Sequence, residues 1–551
     1  MNIKRFLALV ALSAVAACGG ASLPGSGAAP AFRTAHVRPQ SSILSSIVGV
    51  GDSLTAGYQS NGFLGQTGVT VTINFQKYRV QQGQENGFWA DLFEQASGKP
   101  LDAAIADMYD PSTSPLPLIK GPGLNNQIIY RNAFFPFQEQ KYGNICTDNN
   151  GFNQAGYVLK GLSRVRMDPT STNVRDVGIP GLTLHEANVL HEPQSNTCKQ
   201  LPGIEGLLNL VVADESGTFW PVLGNFTRLG GNLTEVNAAA SQHPTLATVW
   251  LGANDVLKYM GSGGRFHGGD DSAGQAESDL RATISTLQRA GAKVVVANLP
   301  NILRVGYFQR ATNPTSDTQC AIQTYAYCLL NLGNTYFTKE LVSRIADKYN
   351  LSTPQGCIPA SVTKPCGYFT LQGIVEILQY STTYQNSLPN LDCAVPVPKC
   401  KPVPGSGLGN YYITPEFAGK IQALNNAINA GIDDAASASH VPLVDVEGIF
   451  DGIASGDPSN PYFKLAASIS RKQGAICCTL GYLYGLLSFD GLHPSNTGYA
   501  LIAYAFIDTI NKAYGTKIPQ IDLRAVYSGK RCSSSAFCYP DPYAPPQDIK
   551  D

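Results

Sequence analysis

Ser46-Ile47-Val48-Gly49-Val50-Gly51-Asp52-Ser53-Leu54-Thr55-Ala56-Gly57 decides how this chain is read. Residues 46–51 form a short apolar run suited to a buried strand, and the run breaks into a turn at Asp52-Ser53. Ser53 therefore stands just past a strand end, where open α/β sheets bind their ligands. Its hydroxyl is a poor nucleophile until an imidazole takes its proton, and the imidazole works best when a carboxylate fixes its tautomer.

The chain has seven histidines, at 36, 185, 191, 243, 267, 440 and 493. Only His493 has an aspartate three residues before it, in Phe489-Asp490-Gly491-Leu492-His493-Pro494. In so compact a turn the Asp490 carboxylate can curl back onto one ring nitrogen and leave the other for a hydroxyl. Leu251-Gly252-Ala253-Asn254-Asp255 follows the apolar run 246–250, placing an asparagine amide past a second strand end. Asp176-Val177-Gly178-Ile179-Pro180-Gly181-Leu182-Thr183 supplies glycines whose N–H groups can approach a ligand without Cβ interference.

In this order the four turns resemble the four blocks of the SGNH, or GDSL, hydrolase superfamily. The resemblance implies Ser53 as nucleophile with Asp490 and His493 as its partners. It also implies an oxyanion hole from the Ser53 N–H, the Gly181 N–H and the Asn254 side chain, with Gly178 an alternative close to Gly181. It covers about a third of the chain. The expected activity is an esterase or lipase working through an acyl-enzyme, with no cofactor and no metal. A carbohydrate O-acetyl esterase and a non-catalytic binding lipoprotein on the same scaffold are the other readings.

Each turn also has a plain structural reading. Gly-Asp-Ser is a common turn sequence. Asp490 can N-cap a helix starting near Pro494 or Ser495, and Asn254-Asp255 can cap the segment after their strand. Gly181 after Pro180 can be turn chemistry alone. The catalytic reading rests on four turns with the right residue types in one order.

Competing motifs are poor. Ser53 is not in Gly-x-Ser-x-Gly. His185-Glu186 opens like a zincin helix, but position 189 is valine and His191 is misplaced. No phosphate or dinucleotide loop follows a suitable strand. Asp270-Asp271, in a glycine-rich stretch, reads as a solvated loop more than as a calcium site.

Ser53 and His493 can meet only if the two ends of the chain lie side by side. A doubly wound parallel sheet of about five strands, flavodoxin-like as in the SGNH fold, achieves this, because the loops at its carboxyl edge share one face. The candidate strands are 46–51, 173–178, 245–251, 293–299 and 441–446. Three apolar stripes at helical spacing fall between or after them: Leu280, Ile284, Leu287 and Ala290; Phe417, Ile421, Leu424, Ile428 and Ile432; and Tyr499, Ile502, Phe506 and Ile510. The hydrolase domain spans 43–514, with loop-rich, disulfide-stapled insertions at about 100–170 and 301–412, and 515–551 is a C-terminal extension. The insertions either shape the substrate cleft or are inert.

Lys4 and Arg5 precede an apolar stretch from Phe6 to Val15 that ends in Ala16-Ala17-Cys18, a pattern of export signals. It resembles a bacterial lipobox, implying removal of 1–17, lipid on Cys18, a flexible tether over 18–42 and an outer-membrane lipoprotein. A plain secretory signal is the alternative. Without Cys18 the thirteen cysteines become twelve, and Cys320/Cys328, Cys357/Cys366, Cys393/Cys400 and Cys532/Cys538 are spaced as loop staples for an oxidising compartment. Charged residues are 14%, with 55 Gly and 35 Pro, as in a loop-rich extracytoplasmic protein. A net charge of −1 gives no reason to expect nucleic acid as a partner, leaving an ester substrate and the membrane.

Overall fold

The computed structural model describes residues 42–59, 69–73, 76–80, 84–118, 171, 173–190, 222–223, 233–261, 263–264, 272–310, 356–370, 394–395, 412–455, 457–469, 486–488 and 491–533. These residues form an α/β architecture on a parallel sheet. Its strands are β1 (Ile47–Gly51), β4 (Leu246–Trp250), β5 (Lys293–Ala297) and β10 (Leu443–Val444), side by side in that order.

The expected strand at 173–178 takes a reduced form. Only Asp176 bridges to Gly49, in parallel sense. The segment nevertheless tracks β1: Gly49 N–H donates to Arg175 O (3.0 Å), Val177 N–H to Gly49 O (3.0 Å) and Ile179 N–H to Gly51 O (2.9 Å). It thus flanks β1 on the side away from β4.

All five residues of β1 and of β4 are buried, as expected of parallel strands covered on both faces. One face is identified by its aromatics. Gly49 and Gly51 pair in register with Thr248 and Trp250. Helix α1 (Phe88–Ala96) lays Trp89 over Gly49, where a Cβ would come within 2.5 Å of the indole, and sets Phe88 edge-on to Trp250 at 5.3 Å. Phe88 also stacks at 4.8 Å on Phe506 of the late helix Asn496–Tyr514. So one core joins residues more than 400 positions apart in the chain.

The three helical stripes are core. Leu280, Ile284 and Leu287 are buried in the helix Ala273–Arg289, while Ala290 is its half-buried C-cap. All five residues of the second stripe are buried in Pro415–Ala438, and all four of the third in Asn496–Tyr514. Their starts are chemically marked: Ser272, Thr414 and Ser495 each accept from a backbone N–H three residues on. The first two helices approach closely at Gly431, where a Cβ would lie 2.3 Å from Ala273 O.

Within the second insertion a small mixed sheet forms from β6 (Phe308–Arg310), β7 (Tyr368–Thr370), β9 (Tyr412–Ile413) and β8 (Ala394–Val395), in that order. The expected Cys357–Cys366 disulfide is present, and Cys532 is also disulfide-bonded. A two-stranded hairpin, β2 (Val69–Ile73) with β3 (Gln76–Val80), follows the Ser53 turn. No described helix is long and apolar enough to cross a membrane. Cys18, residues 18–41 of the 18–42 tether, residues 119–170, Asp270-Asp271 and the remaining cysteines lie outside the described residues.

Candidate active site

Ser53 stands two residues past the end of β1, in a turn held by its own backbone. Ala56 N–H donates to Asp52 O (3.0 Å) and Tyr58 N–H to Ser53 O (2.9 Å), with Gly57 at φ +71. His493 comes from the other end of the chain. Its loop is closed by Ser488 N–H on His493 O (2.8 Å) and Ser495 N–H on Leu486 O (2.9 Å). Across 440 residues, His493 Nε2 lies 3.0 Å from Ser53 Oγ. Ser53 is half-buried and His493 is 9% exposed, so the pair is reachable yet largely screened from bulk water.

Asp490 lies outside the described residues, together with Phe489. Its neighbour Gly491 is described, at φ +70, and Gly491 O accepts from Tyr307 N–H (2.8 Å). The histidine loop is thereby fastened to the start of the second insertion. The helix after His493 takes Ser495 as its N-cap, so that capping role is not Asp490's.

Gly178 and Gly181 separate clearly. The Gly178 N–H is committed to Asp176 Oδ1 (3.0 Å), and a Cβ there would meet Ala56 N at 2.8 Å. Gly178 is glycine because the nucleophile turn packs against it. Gly181 has φ +86 and open space where a Cβ would stand. Among the described residues, neither the Gly181 N–H nor the Ser53 N–H has a hydrogen-bond acceptor.

Asn254 sits in the first turn of the helix Ala253–Gly261, beside this site. Its Nδ2 donates both hydrogens inside the protein, to Asp52 Oδ2 (3.0 Å) and to Leu182 O (3.0 Å). Leu182 O is an acceptor only, which sets the amide's orientation with Nδ2 toward it. In this resting geometry both Nδ2 hydrogens of Asn254 are engaged within the protein.

Asp52 is the functional candidate that motif reading passed over as a turn residue. It is 1% exposed; Oδ1 accepts from Leu54 N–H (2.9 Å) and Oδ2 from Asn254. Burial pushes its carboxyl up to about 7, against the opposing pull of the Leu54 N–H and of the nearby His493. Asp255 is a second such group: it accepts from Leu184 N–H (3.0 Å), and burial pushes it up to about 8. Asn254 and Asp255 thus hold the 181–184 turn from one helix. Deeper still, Glu235 Oε1 accepts from Gly51 N–H (2.6 Å), and burial drives its carboxyl well above the usual range.

His185, which follows the 181–184 turn, faces Asp279, with Nδ1 2.9 Å from Oδ2. Among the described residues no three His, Cys, Asp or Glu side chains are grouped as metal ligands. No protein-family model matches this chain, and neither curated proteins nor solved structures include a match to it.

Proposed function

We propose that the chain is a serine ester hydrolase of SGNH/GDSL type. The observation that carries this reading is the 3.0 Å approach of His493 Nε2 to Ser53 Oγ at the carboxyl edge of a parallel sheet. Two further features support it. Counting the 175–179 segment as a strand, the sheet runs in the flavodoxin-like order 2-1-3-4-5. Strands 1 to 3 of that order each lead directly into one motif turn.

In the proposed reaction Ser53 Oγ attacks an ester carbonyl as its proton passes to His493 Nε2. Asp490, assigned from the Asp-x-x-His spacing, orients the imidazole. The oxyanion is met by the N–H groups of Ser53 and Gly181. Asn254 joins them by sharing one hydrogen now directed at Asp52 or Leu182 O, since a developing oxyanion is the stronger acceptor. The imidazolium then protonates the leaving alcohol, and water releases the acyl group through the same base. The N-terminal pattern ending in Cys18 supports a lipid-anchored, outer-membrane setting for this chemistry.

A panel of p-nitrophenyl esters from acetate to palmitate, on wild type and Ser53→Ala, tests the reading. Hydrolysis by wild type that Ser53→Ala lacks is expected. Equal rates in both proteins would refute the assignment, and activity confined to acetate would favour the carbohydrate O-acetyl esterase. Palmitate labelling lost in Cys18→Ser tests the anchor.

A further inference from the structure

We propose that Tyr58 is a positioning residue for the base: its ring sets the His493 imidazole on Ser53 and stabilises the imidazolium formed during acyl transfer. The proposal rests on the hydrolase reading above. Tyr58 lies five residues beyond the nucleophile, on the chain that leaves the turn through Gly57. Its backbone N–H is bonded to Ser53 O (2.9 Å), and its ring centroid stands 4.9 Å from that of His493, tilted by 55°. One residue therefore touches nucleophile and base at once. A third contact completes the bracket: Tyr499 Oη, from the buried helix that follows His493, donates to Tyr58 O (2.8 Å).

The chemistry follows from that placement. As Ser53 Oγ bonds to the acyl carbon, the carbonyl π pair moves to oxygen and the serine proton moves to His493 Nε2. The ring beside Tyr58 thus gains a positive charge only as the transition state forms. A cation over the face of an aromatic ring, within about 6 Å of its centroid, is attracted by the ring's negative face, and the 4.9 Å separation of Tyr58 and His493 lies inside that reach. An interaction that strengthens with the developing charge raises kcat, whereas one present equally in the bound substrate lowers KM alone. The hydroxyl of Tyr58 has no part in this, so phenylalanine should serve.

The test replaces Tyr58 with phenylalanine, with mono-, di- and trifluorinated phenylalanines, and with leucine, and measures kcat and KM on a p-nitrophenyl ester hydrolysed by wild type. Fluorination keeps the ring's shape while withdrawing its π density, so a purely packing role would leave kcat flat. Expected are a Tyr58→Phe rate within about threefold of wild type and a stepwise fall of log kcat with fluorine count. Tyr58→Leu should lose about 3- to 30-fold in kcat, with KM little changed. A flat fluorination series in proteins that hydrolyse the ester overturns the proposal while leaving the hydrolase reading intact. A wild type no faster than Ser53→Ala defeats the hydrolase reading, and the proposal with it. If Tyr58→Leu fails to fold, the fluorinated series decides alone.

Discussion

The side-chain amide of Asn254 donates to the Asp52 carboxylate across 3.0 Å, tying the third motif turn to the residue before the nucleophile. Asp52 faces two donors, Leu54 N–H and Asn254 Nδ2, and needs an acceptor oxygen for each. Asn at position 52 offers one. Asp52→Asn should therefore let Asn254 drift and lower kcat with little change in KM. Loss of one oxyanion donor typically costs about 10²–10³ in kcat, which is the expectation for Asn254→Ala. In a double-mutant cycle, Asp52→Asn added to Asn254→Ala should cost little more. Full additivity would show that the two residues act independently.

Buried carboxyls make stability depend on pH. Asp52 and Asp255 are pushed up to about 7 and about 8, whereas an unfolded aspartate ionises near ~3.9. Between those values the folded chain keeps protons that the unfolded chain has released, so these groups lower stability as pH rises through the window. Each changes it by at most about 1.4 kcal/mol per pH unit. Asp255→Asn keeps an acceptor for Leu184 N–H and removes the titration. Urea midpoints of this variant relative to wild type should rise from about pH 5 to about pH 8; a difference that stays constant would contradict the burial argument.

The two glycines of the second motif turn should respond differently to alanine. At Gly178 the new Cβ would stand 2.8 Å from Ala56 N, inside the nucleophile turn, and backbone must move. At Gly181 it meets nothing, but φ +86 is strained for an L residue, at about 1–2 kcal/mol. Gly178→Ala is expected to lower both the melting temperature and kcat. Gly181→Ala should mainly lower stability if its backbone holds, a split that thermal melts and ester kinetics would show.

Arg531 joins the C-terminal extension to α1. Its guanidinium pairs with Asp91 and, at 2.9 Å, with Glu94, all three nearly buried. Burial pushes both acids up, Glu94 to about 8, against the pull of Arg531; removing the cation leaves them buried without a partner, and breaking such a buried pair typically costs about 3–5 kcal/mol. Arg531→Met should lower the unfolding free energy by that order, measured by urea titration. A loss below about 1 kcal/mol would mean that the extension is not fastened there.

Strands β1, β4 and β5 were readable because each is a nearly continuous apolar run, the mark of a strand buried on both faces. The 173–178 segment, expected as a full strand, carries a weaker signal, since Asn173, Arg175 and Asp176 interrupt its apolar residues. It pairs with β1 through one bridge, and Pro180 stands just beyond its last bond at Ile179. The sheet of the second insertion was out of reach, since its strands are two or three residues long and pair across tens of residues. Ser53 and His493 were found from local turn chemistry. Asp52 was missed because its role depends on a donor 202 residues away, and Arg531 because its acceptors lie 440 and 437 residues back. Tyr58 carried no signal beyond its closeness to Ser53.

The most direct measurement of the central claim is covalent labelling of the folded full-length chain with a fluorophosphonate, followed by peptide mapping. The expected result is one label, on Ser53, absent in Ser53→Ala and slowed about 10²-fold or more in His493→Ala. A folded wild type that takes no label at Ser53, or a labelling rate that His493→Ala leaves unchanged, would contradict the assignment of these two residues as nucleophile and base.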